Sequence, residues 1–342
     1  MSNSDPLQLT TLAVIGAGAW GTTLAITYAR HGHSVILLTR AEAHARALHD
    51  TRENERYLPG VRIPRSVAVT HEPAALGEAD VALFVVPSQA LRGAASQAAP
   101  ELRADTLLVS CAKGFERGSL RRMTEALSAA TGAAAERVCA WSGPNLAGEI
   151  AAGLPASAVL ACAADATART VQSALALPTL RLYTSDDVIG VEYGGALKNV
   201  IAIAAGIADG MQLGQNAKAA LLTRGLAEIS RLGVAAGAQP LTFAGLSGLG
   251  DLIATCESPL SRNRSYGERI GRGATPDTAA VAGHVIEGIE ATRSAVALGQ
   301  HYGVSTPIAA GLAAVLNGDV GPQEAMAALL ARDARPERDG DA

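Results

Sequence analysis

From Thr11 onward the chain repeats one unit: a short run of aliphatic and β-branched residues, a Gly- or Pro-marked turn, then an Ala-rich segment with helical spacing. Residues 12–15, 34–39, 81–86, 106–110, 137–141 and 156–160 carry the run, and residues 179–184 form a weaker seventh. Several of these runs are apolar at every position, as strands are when both faces of the sheet are covered. Alternation of such strands with helices predicts βαβ units and a parallel sheet. After Asp186 the texture changes. Long Ala/Leu/Ile stretches with helical spacing, punctuated by Gly233, Pro240, Pro259 and Pro307, predict an all-helical second part. The fold class is therefore α/β: an N-terminal Rossmann-type, doubly wound parallel sheet followed by an all-helical C-terminal domain. The expected division is a dinucleotide-binding domain over residues 1–189, a helical substrate and catalytic domain over 190–331, and a frayed tail over 332–342, where charges alternate around Pro336.

Composition narrows the class. At 342 residues, with 49% hydrophobic and 18% charged residues, the chain can bury a sizeable core in roughly two domains and is not largely disordered. The formal net charge of -4 gives no global pull toward nucleic acid or anionic lipid, so neither nucleic-acid binding nor membrane insertion is expected, and any anionic ligand needs a local basic cluster. Cys111, Cys139, Cys162 and Cys256 form no CxxC pair and read as reduced core thiols. The first ten residues lack the basic start and apolar core of a signal peptide, so the chain is expected to be cytoplasmic.

Gly16, Gly18 and Gly21 form G-x-G-x-x-G between the first apolar run and a helix-like segment ending near Arg30. In that context the glycines permit a tight turn, approach of a pyrophosphate to the backbone, and close packing of helix on strand. The second strand ends Leu38-Thr39-Arg40, with no Asp or Glu there to meet a free ribose hydroxyl. Arg40 can pair with a 2′-phosphate, which favours NADP(H) over NAD(H), with both usable. Trp20, inside the turn, is placed to wall the cofactor or cover the helix start.

Two lysines can do chemistry. Lys113 follows the strand run 106–110, at the carboxyl end where open α/β sheets bind ligands. Lys198 opens the apolar stretch 200–208, where loss of hydration lowers an ammonium pKa into the range of general acid-base catalysis. Asp251, on the Gly-rich segment 245–251, orients a lysine or a substrate hydroxyl, or else caps the helix that follows. Ser261-Arg262-Asn263-Arg264 is the candidate anion site, although Ser265 and Glu268 have the spacing of a capping box. No HExxH or His/Cys cluster with ligand spacing occurs, so no metal is expected. Gly245-Leu246-Ser247-Gly248-Leu249 has Leu249 where a nucleophile elbow needs glycine.

These residues resemble a known family. Gly16-Ala17-Gly18-Ala19-Trp20-Gly21, Asn54-Glu55-Arg56-Tyr57-Leu58-Pro59-Gly60, Val86-Pro87-Ser88, Ala112-Lys113-Gly114, Ser142-Gly143-Pro144, Gly195-Ala196-Leu197-Lys198-Asn199-Val200, Leu246-Ser247-Gly248-Leu249-Gly250-Asp251, Leu260-Ser261-Arg262-Asn263-Arg264 and Val285-Ile286-Glu287-Gly288 are similar, in order, to the motifs of bacterial NAD(P)-dependent glycerol-3-phosphate dehydrogenases. The resemblance implies interconversion of dihydroxyacetone phosphate and sn-glycerol 3-phosphate, feeding glycerophospholipid synthesis. It implies Lys198 as proton donor or acceptor, and Lys113 in contact with substrate and cofactor. Gly143, Asn145, Asp251, Ser261, Arg262 and Asn263 would bind substrate. Gly16, Gly18, Ala19, Trp20, Gly21, Arg40, Tyr57, Ala147, Arg262, Val285 and Glu287 would approach the cofactor. Asn145-Leu146 departs from the family's SGPSFA-like pattern, which touches fine substrate positioning. Two other readings stay open: another NADPH-dependent reductase of similar build, such as a ketopantoate reductase or β-hydroxyacid dehydrogenase, and a non-catalytic dinucleotide sensor. The long apolar helix of the second domain leaves room for a homodimer.

Overall fold

The computed structural model describes residues 10–280 and 285–331, so the expectations for residues 1–9 and for the tail 332–342 lie outside the described residues. The strands are β1 (Thr11–Ile15), β2 (Ser34–Leu38), β3 (Glu53–Asn54), β4 (Leu58–Arg62), β5 (Val67–Thr70), β6 (Val81–Phe84), β7 (Leu107–Ser110), β8 (Val138–Ser142), β9 (Ala156–Ala161) and β10 (Leu180–Ser185). The α-helices are α1 (Ala19–Arg30), α2 (Glu42–Thr51), α3 (Leu91–Ala98), α4 (Met123–Thr131), α5 (Ala147–Ala151), α6 (Asp165–Leu175), α7 (Val188–Gly210), α8 (Gly214–Ala235), α9 (Asp251–Glu257), α10 (Arg262–Gly271), α11 (Pro276–Ala279), α12 (Glu287–Tyr302), α13 (Pro307–Asn317) and α14 (Pro322–Leu330).

Eight strands form one sheet in the order β10-β9-β8-β7-β6-β1-β2-β5. All seven apolar runs read from the sequence are in it. Residue alternation splits β1 between two cores: Leu12 and Val14 join Leu24, Ile26 and Tyr28 of α1 on one face, while Ala13 and Ile15 join Leu91 and Ala95 of α3 and Leu127 of α4 on the other. Every pairing is parallel except β8–β9, so the sheet is parallel-dominated with its last two strands reversed. A parallel return needs a crossover of a dozen or more residues, usually through a full helix. Between Ser142 and Ala156 the chain holds only the short α5, which packs on α1 instead. Edge strand β5 and hairpin β3–β4 were not foreseen, because a four-residue run and a two-residue strand are too short to show a period.

Helix α7 begins directly after β10 and forms the axis of the helical part. Asp187 caps it: its Oδ1 accepts from the Gly190 N–H at 2.8 Å, and its Oδ2 accepts from the Gln239 N–H at 2.9 Å and the Thr242 hydroxyl at 2.5 Å. Lys198 therefore lies mid-helix, with the helix starting ten residues earlier than the apolar stretch suggested. By length and composition α7 alone among the described helices could cross a membrane, yet 83% of its apolar window is buried within the fold. It is a core helix. Its surface is consumed by α10, α8, α9 and α12, which removes it as a face for a second copy.

The tightest of these contacts is with α10. A Cβ on Gly206 would collide with the Arg264 carbonyl and one on Gly210 with that of Glu268, while Cβ atoms on Gly267 and Gly271 would strike the carbonyls of Ile203 and Ile207. Four glycines thus let two helix backbones touch. Gly267→Ala is expected to cost at least about 1–3 kcal/mol by overpacking, lowering the urea midpoint, since a rigid backbone opposes the new methyl. Gly93→Ala, on exposed α3 with nothing within 4 Å, is the control and should stabilise by roughly 0.5–1 kcal/mol.

Candidate active site

The glycine turn sits where β1 meets α1. Gly16 has φ +113°, and a Cβ there would meet the Val85 carbonyl oxygen at 2.5 Å; a Cβ on Gly21 would collide with the Gly16 carbonyl. Gly18 faces open space: nothing lies within 4 Å of its missing Cβ. That opening lies at the N-terminus of α1, where Gly18 is the N-cap, no side chain caps the helix, and the residues Ala19 and Trp20 begin it. Free N–H groups, the positive end of the helix dipole and a side-chain-free approach fit a dinucleotide pyrophosphate. Trp20 packs edge-on against Trp141 with ring centroids 6.1 Å apart, walling the turn on the α5 side. The Thr23 hydroxyl donates to the Ala147 carbonyl at 3.1 Å, which brings Ala147 to the same wall. Arg40 is exposed just past β2, and Tyr57 lies half-buried in the β3–β4 turn.

Across the cleft, one carboxylate organises the chemistry. Asp251 is 2% exposed; its Oδ1 accepts from Lys198 Nζ at 2.7 Å and its Oδ2 from Lys113 Nζ at 2.6 Å. Lys113 also donates to the Gly143 carbonyl at 2.9 Å, and Lys198 to the Thr255 hydroxyl at 2.5 Å. Asp251 therefore orients lysines. It begins α9 without capping it. Burial is the main force on Lys198 and pulls its pKa down to about 8; Asp251 opposes that shift and the like charge of Lys113 adds to it. An ammonium balanced near neutrality inside a cleft is suited to giving and taking a proton.

The basic cluster is reorganised. Ser261, not Ser265, is the N-cap of α10, its hydroxyl accepting from the Arg264 N–H at 3.2 Å. Ser265 and Glu268 lie inside the helix, so the capping-box spacing is coincidental. Arg264 is spent on Asp209 at 2.7 Å and Glu268 at 3.1 Å. Arg262 is exposed and forms no ion pair or hydrogen bond among the described residues, leaving one free guanidinium beside the start of α10. Asn263 is a brace: its Nδ2 donates to Asn199 Oδ1 at 2.8 Å and its Oδ1 accepts from the Gly288 N–H at 3.0 Å, joining α7, α10 and α12. One Nδ2 hydrogen remains for a ligand.

Glu287, at the start of α12, reaches back to the sheet, accepting from the Ser88 N–H at 3.1 Å and the Ser88 hydroxyl at 2.5 Å. Burial raises its pKa against these hydrogen bonds. Val285 is exposed beside it. Gly143 has φ +133°, and a Cβ there would stand 3.0 Å from Ala158 Cα, so the loop that meets Lys113 needs glycine. Asn145 Oδ1 accepts from the Trp141 indole N–H at 3.0 Å, while its Nδ2 is buried without a partner. Thr255, Asn199 and Ser88 were missed as functional candidates. Thr255 was legible, being four residues after Asp251 and so on the same face of α9.

The arrangement has relatives. Family profiles described as NAD-dependent glycerol-3-phosphate dehydrogenase N-terminus and C-terminus match residues 11–168 and 187–327. The chain is 48% identical over 328 residues to the glycerol-3-phosphate dehydrogenase (NAD(P)+) of Streptomyces avermitilis, covering 95% of this chain and 98% of that one. It is 46% identical over 332 residues to that of Corynebacterium glutamicum, covering 96% and 100%. Among solved structures it is similar to glycerol-3-phosphate dehydrogenase from Coxiella burnetii, with TM-score 0.89, 37% identity, and coverage of 95% of this chain and 99% of that one. A ketopantoate reductase from Ralstonia eutropha shares the fold at TM-score 0.60 and 19% identity, covering 92% and 99%.

Proposed function

The chain belongs to the NAD-dependent glycerol-3-phosphate dehydrogenase family, and from that premise we propose how its own residues run the reaction. It is an NAD(P)-dependent oxidoreductase that interconverts dihydroxyacetone phosphate and sn-glycerol 3-phosphate. The observation that carries the residue roles is the Asp251 carboxylate held between Lys113 and Lys198. When bound, a reduced nicotinamide would supply the hydride that C2 of dihydroxyacetone phosphate receives. The Lys198 ammonium gives its proton to the oxygen on C2, and Lys113 stabilises the negative charge that develops there. Asp251 fixes both ammonium groups, and Thr255 holds Lys198 from a third side. Arg262, the free amide hydrogen of Asn263 and the N–H groups opening α10, capped by Ser261, receive the phosphate and so set C2 against the lysines. Gly143 and Asn145 line the substrate loop, with the unpaired Asn145 Nδ2 offered as a donor.

On the cofactor side, Gly16, Gly18, Ala19, Trp20 and Gly21 cradle the pyrophosphate, Arg40 meets a 2′-phosphate, and Tyr57, Ala147, Val285, Glu287, Lys113 and Arg262 complete the lining. The proposed division into residues 1–189 and 190–331 is supported by the nearby passage from β10 into α7, and its cut falls within the first turn of α7. We place the enzyme in the cytoplasm, supplying glycerophospholipid synthesis. A homodimer belongs to the same proposal, with its interface on surfaces other than the enclosed α7, and sedimentation velocity reads it directly.

The test is absorbance-monitored NADPH oxidation with dihydroxyacetone phosphate, dihydroxyacetone and ketopantoate in parallel. Turnover confined to the phosphorylated ketone is the expected result; ketopantoate turnover would replace the reading with the other reductase. Lys198→Ala should lower kcat by about 100- to 10,000-fold while NADPH affinity stays within a few-fold. Retention of near-normal kcat would remove Lys198 from its role. The pH dependence has a definite sign: ketone reduction needs the Lys198 ammonium, so kcat/KM should fall as pH rises through about 8, while glycerol 3-phosphate oxidation needs the free amine and should rise through the same value.

A further inference from the structure

Two arginines follow closely on residues that hydrogen-bond to the glycine turn, one after β2 and one in the β3–β4 hairpin. Gly16 N–H donates to the Leu38 carbonyl at 2.9 Å, which fixes the end of β2, and Arg40 stands two residues beyond. The buried Asn54 Nδ2 donates to the Ala17 carbonyl at 3.0 Å and the Thr22 hydroxyl at 2.7 Å, pinning the β3–β4 hairpin to the same turn. Arg56 stands two residues beyond Asn54. Its guanidinium carbon lies 5.0 Å from the centroid of the Tyr57 ring, which also meets the His44 ring edge-on at 6.1 Å.

We propose that Arg56 is a second specificity-determining cation, which together with Arg40 grips the 2′-phosphate of a phosphorylated dinucleotide from the hairpin side. The proposal takes the identity of the cofactor, and nothing else, from the dehydrogenase reading above. Stacking on Tyr57 restrains the guanidinium while leaving its in-plane N–H groups free, the geometry that serves bidentate recognition of phosphate. Among the described residues neither Arg40 nor Arg56 is ion-paired; nearby Glu42 is held by Arg46 at 2.6 Å and Glu53 accepts from the Gly60 N–H at 2.6 Å. The charge is felt locally: burial is the main cause that lowers the His44 pKa, and Arg56 pushes it the same way, with the Asn54 side chain opposing. His44 is thus kept a neutral ring beside Tyr57 and leaves the phosphate to the two arginines. A single arginine after β2 tolerates either cofactor, whereas two guanidiniums from two elements favour the dianion over a bare hydroxyl.

The test compares adenosine 2′,5′-bisphosphate with 5′-AMP, which differ only in the 2′-phosphate, by calorimetric titration of the whole enzyme. Arg56 is exposed, so Arg56→Ala should leave the thermal midpoint in place. Expected is a loss of about 10- to 100-fold in bisphosphate affinity with 5′-AMP unchanged, and an equal fall in the NADPH to NADH ratio of kcat/KM. Arg56→Lys should recover part of the loss and Arg40→Ala/Arg56→Ala should abolish discrimination. Equal weakening of both nucleotides by Arg56→Ala, or no change in either, overturns the proposal. Because the titration needs no turnover, an enzyme that binds the bisphosphate selectively yet leaves dihydroxyacetone phosphate untouched would refute the assigned reaction and leave this inference standing.

Discussion

Everything in the site depends on one buried carboxylate holding two ammonium groups. Asp251 is almost wholly removed from water, and a lone carboxylate there would be costly or neutral. Two lysines within 2.7 Å change the sign of that problem, because the cluster now carries one excess positive charge in a poorly hydrated place. The excess is relieved by the group that can lose its proton most readily. Lys198, the more buried lysine, is that group: burial does most to loosen its proton, and the like charge of Lys113 adds to it. The same excess charge also attracts an electron-rich substrate oxygen, so the strain that loosens the proton points it at the place where a proton is needed.

Holding this triad requires three distant segments to converge: the loop after β7 for Lys113, the middle of α7 for Lys198 and the start of α9 for Asp251. Each is fixed by an unusual local choice. The five-residue π-turn Leu246–Gly250 delivers Asp251, and its Ser247 carbonyl lies where a Cβ on Gly194 would be. The glycine seam between α7 and α10 then sets the start of α10, the proposed anion site, at a fixed height along α7, with Asn199 and Asn263 as the peg between them. The proposed phosphate and proton sites are thereby both referred to one helix.

The fold was largely legible in the sequence because its signals are local. Seven buried strands announced themselves as apolar runs, and the glycine turn needed only a strand before it and a helix after it. Lys113, Lys198 and Asp251 were legible as candidates by residue type and position, but their common hydrogen bonds join residues up to 138 apart, and no spacing rule reaches that far. Arg264 shows the converse. Beside Arg262 it looked like a second phosphate ligand, and only the return of Asp209 from the end of α7 reveals that it is spent on structure. The reversal of β9 and β10 was equally hidden, since an apolar run carries no direction.

Each half of the chain has large apolar cores of its own, two on the faces of the sheet and one around α7, and a small apolar seam joins them, where Ala140 and Ala161 meet Val191 and Phe115 packs on Tyr193. Beside that seam, charged and polar pairs also join them: Lys113 to Asp251, Ser88 to Glu287, Arg122 to Glu192 and Arg117 to Glu290. An apolar seal would tolerate sliding at little cost, because hydrophobic attraction has no direction. Hydrogen bonds to charged groups do not, since they weaken steeply as angle and distance drift. A cleft held by such bonds can stay wet enough to admit a phosphorylated substrate and still place two lysines to within a few tenths of an ångström, which is the tolerance that proton transfer demands.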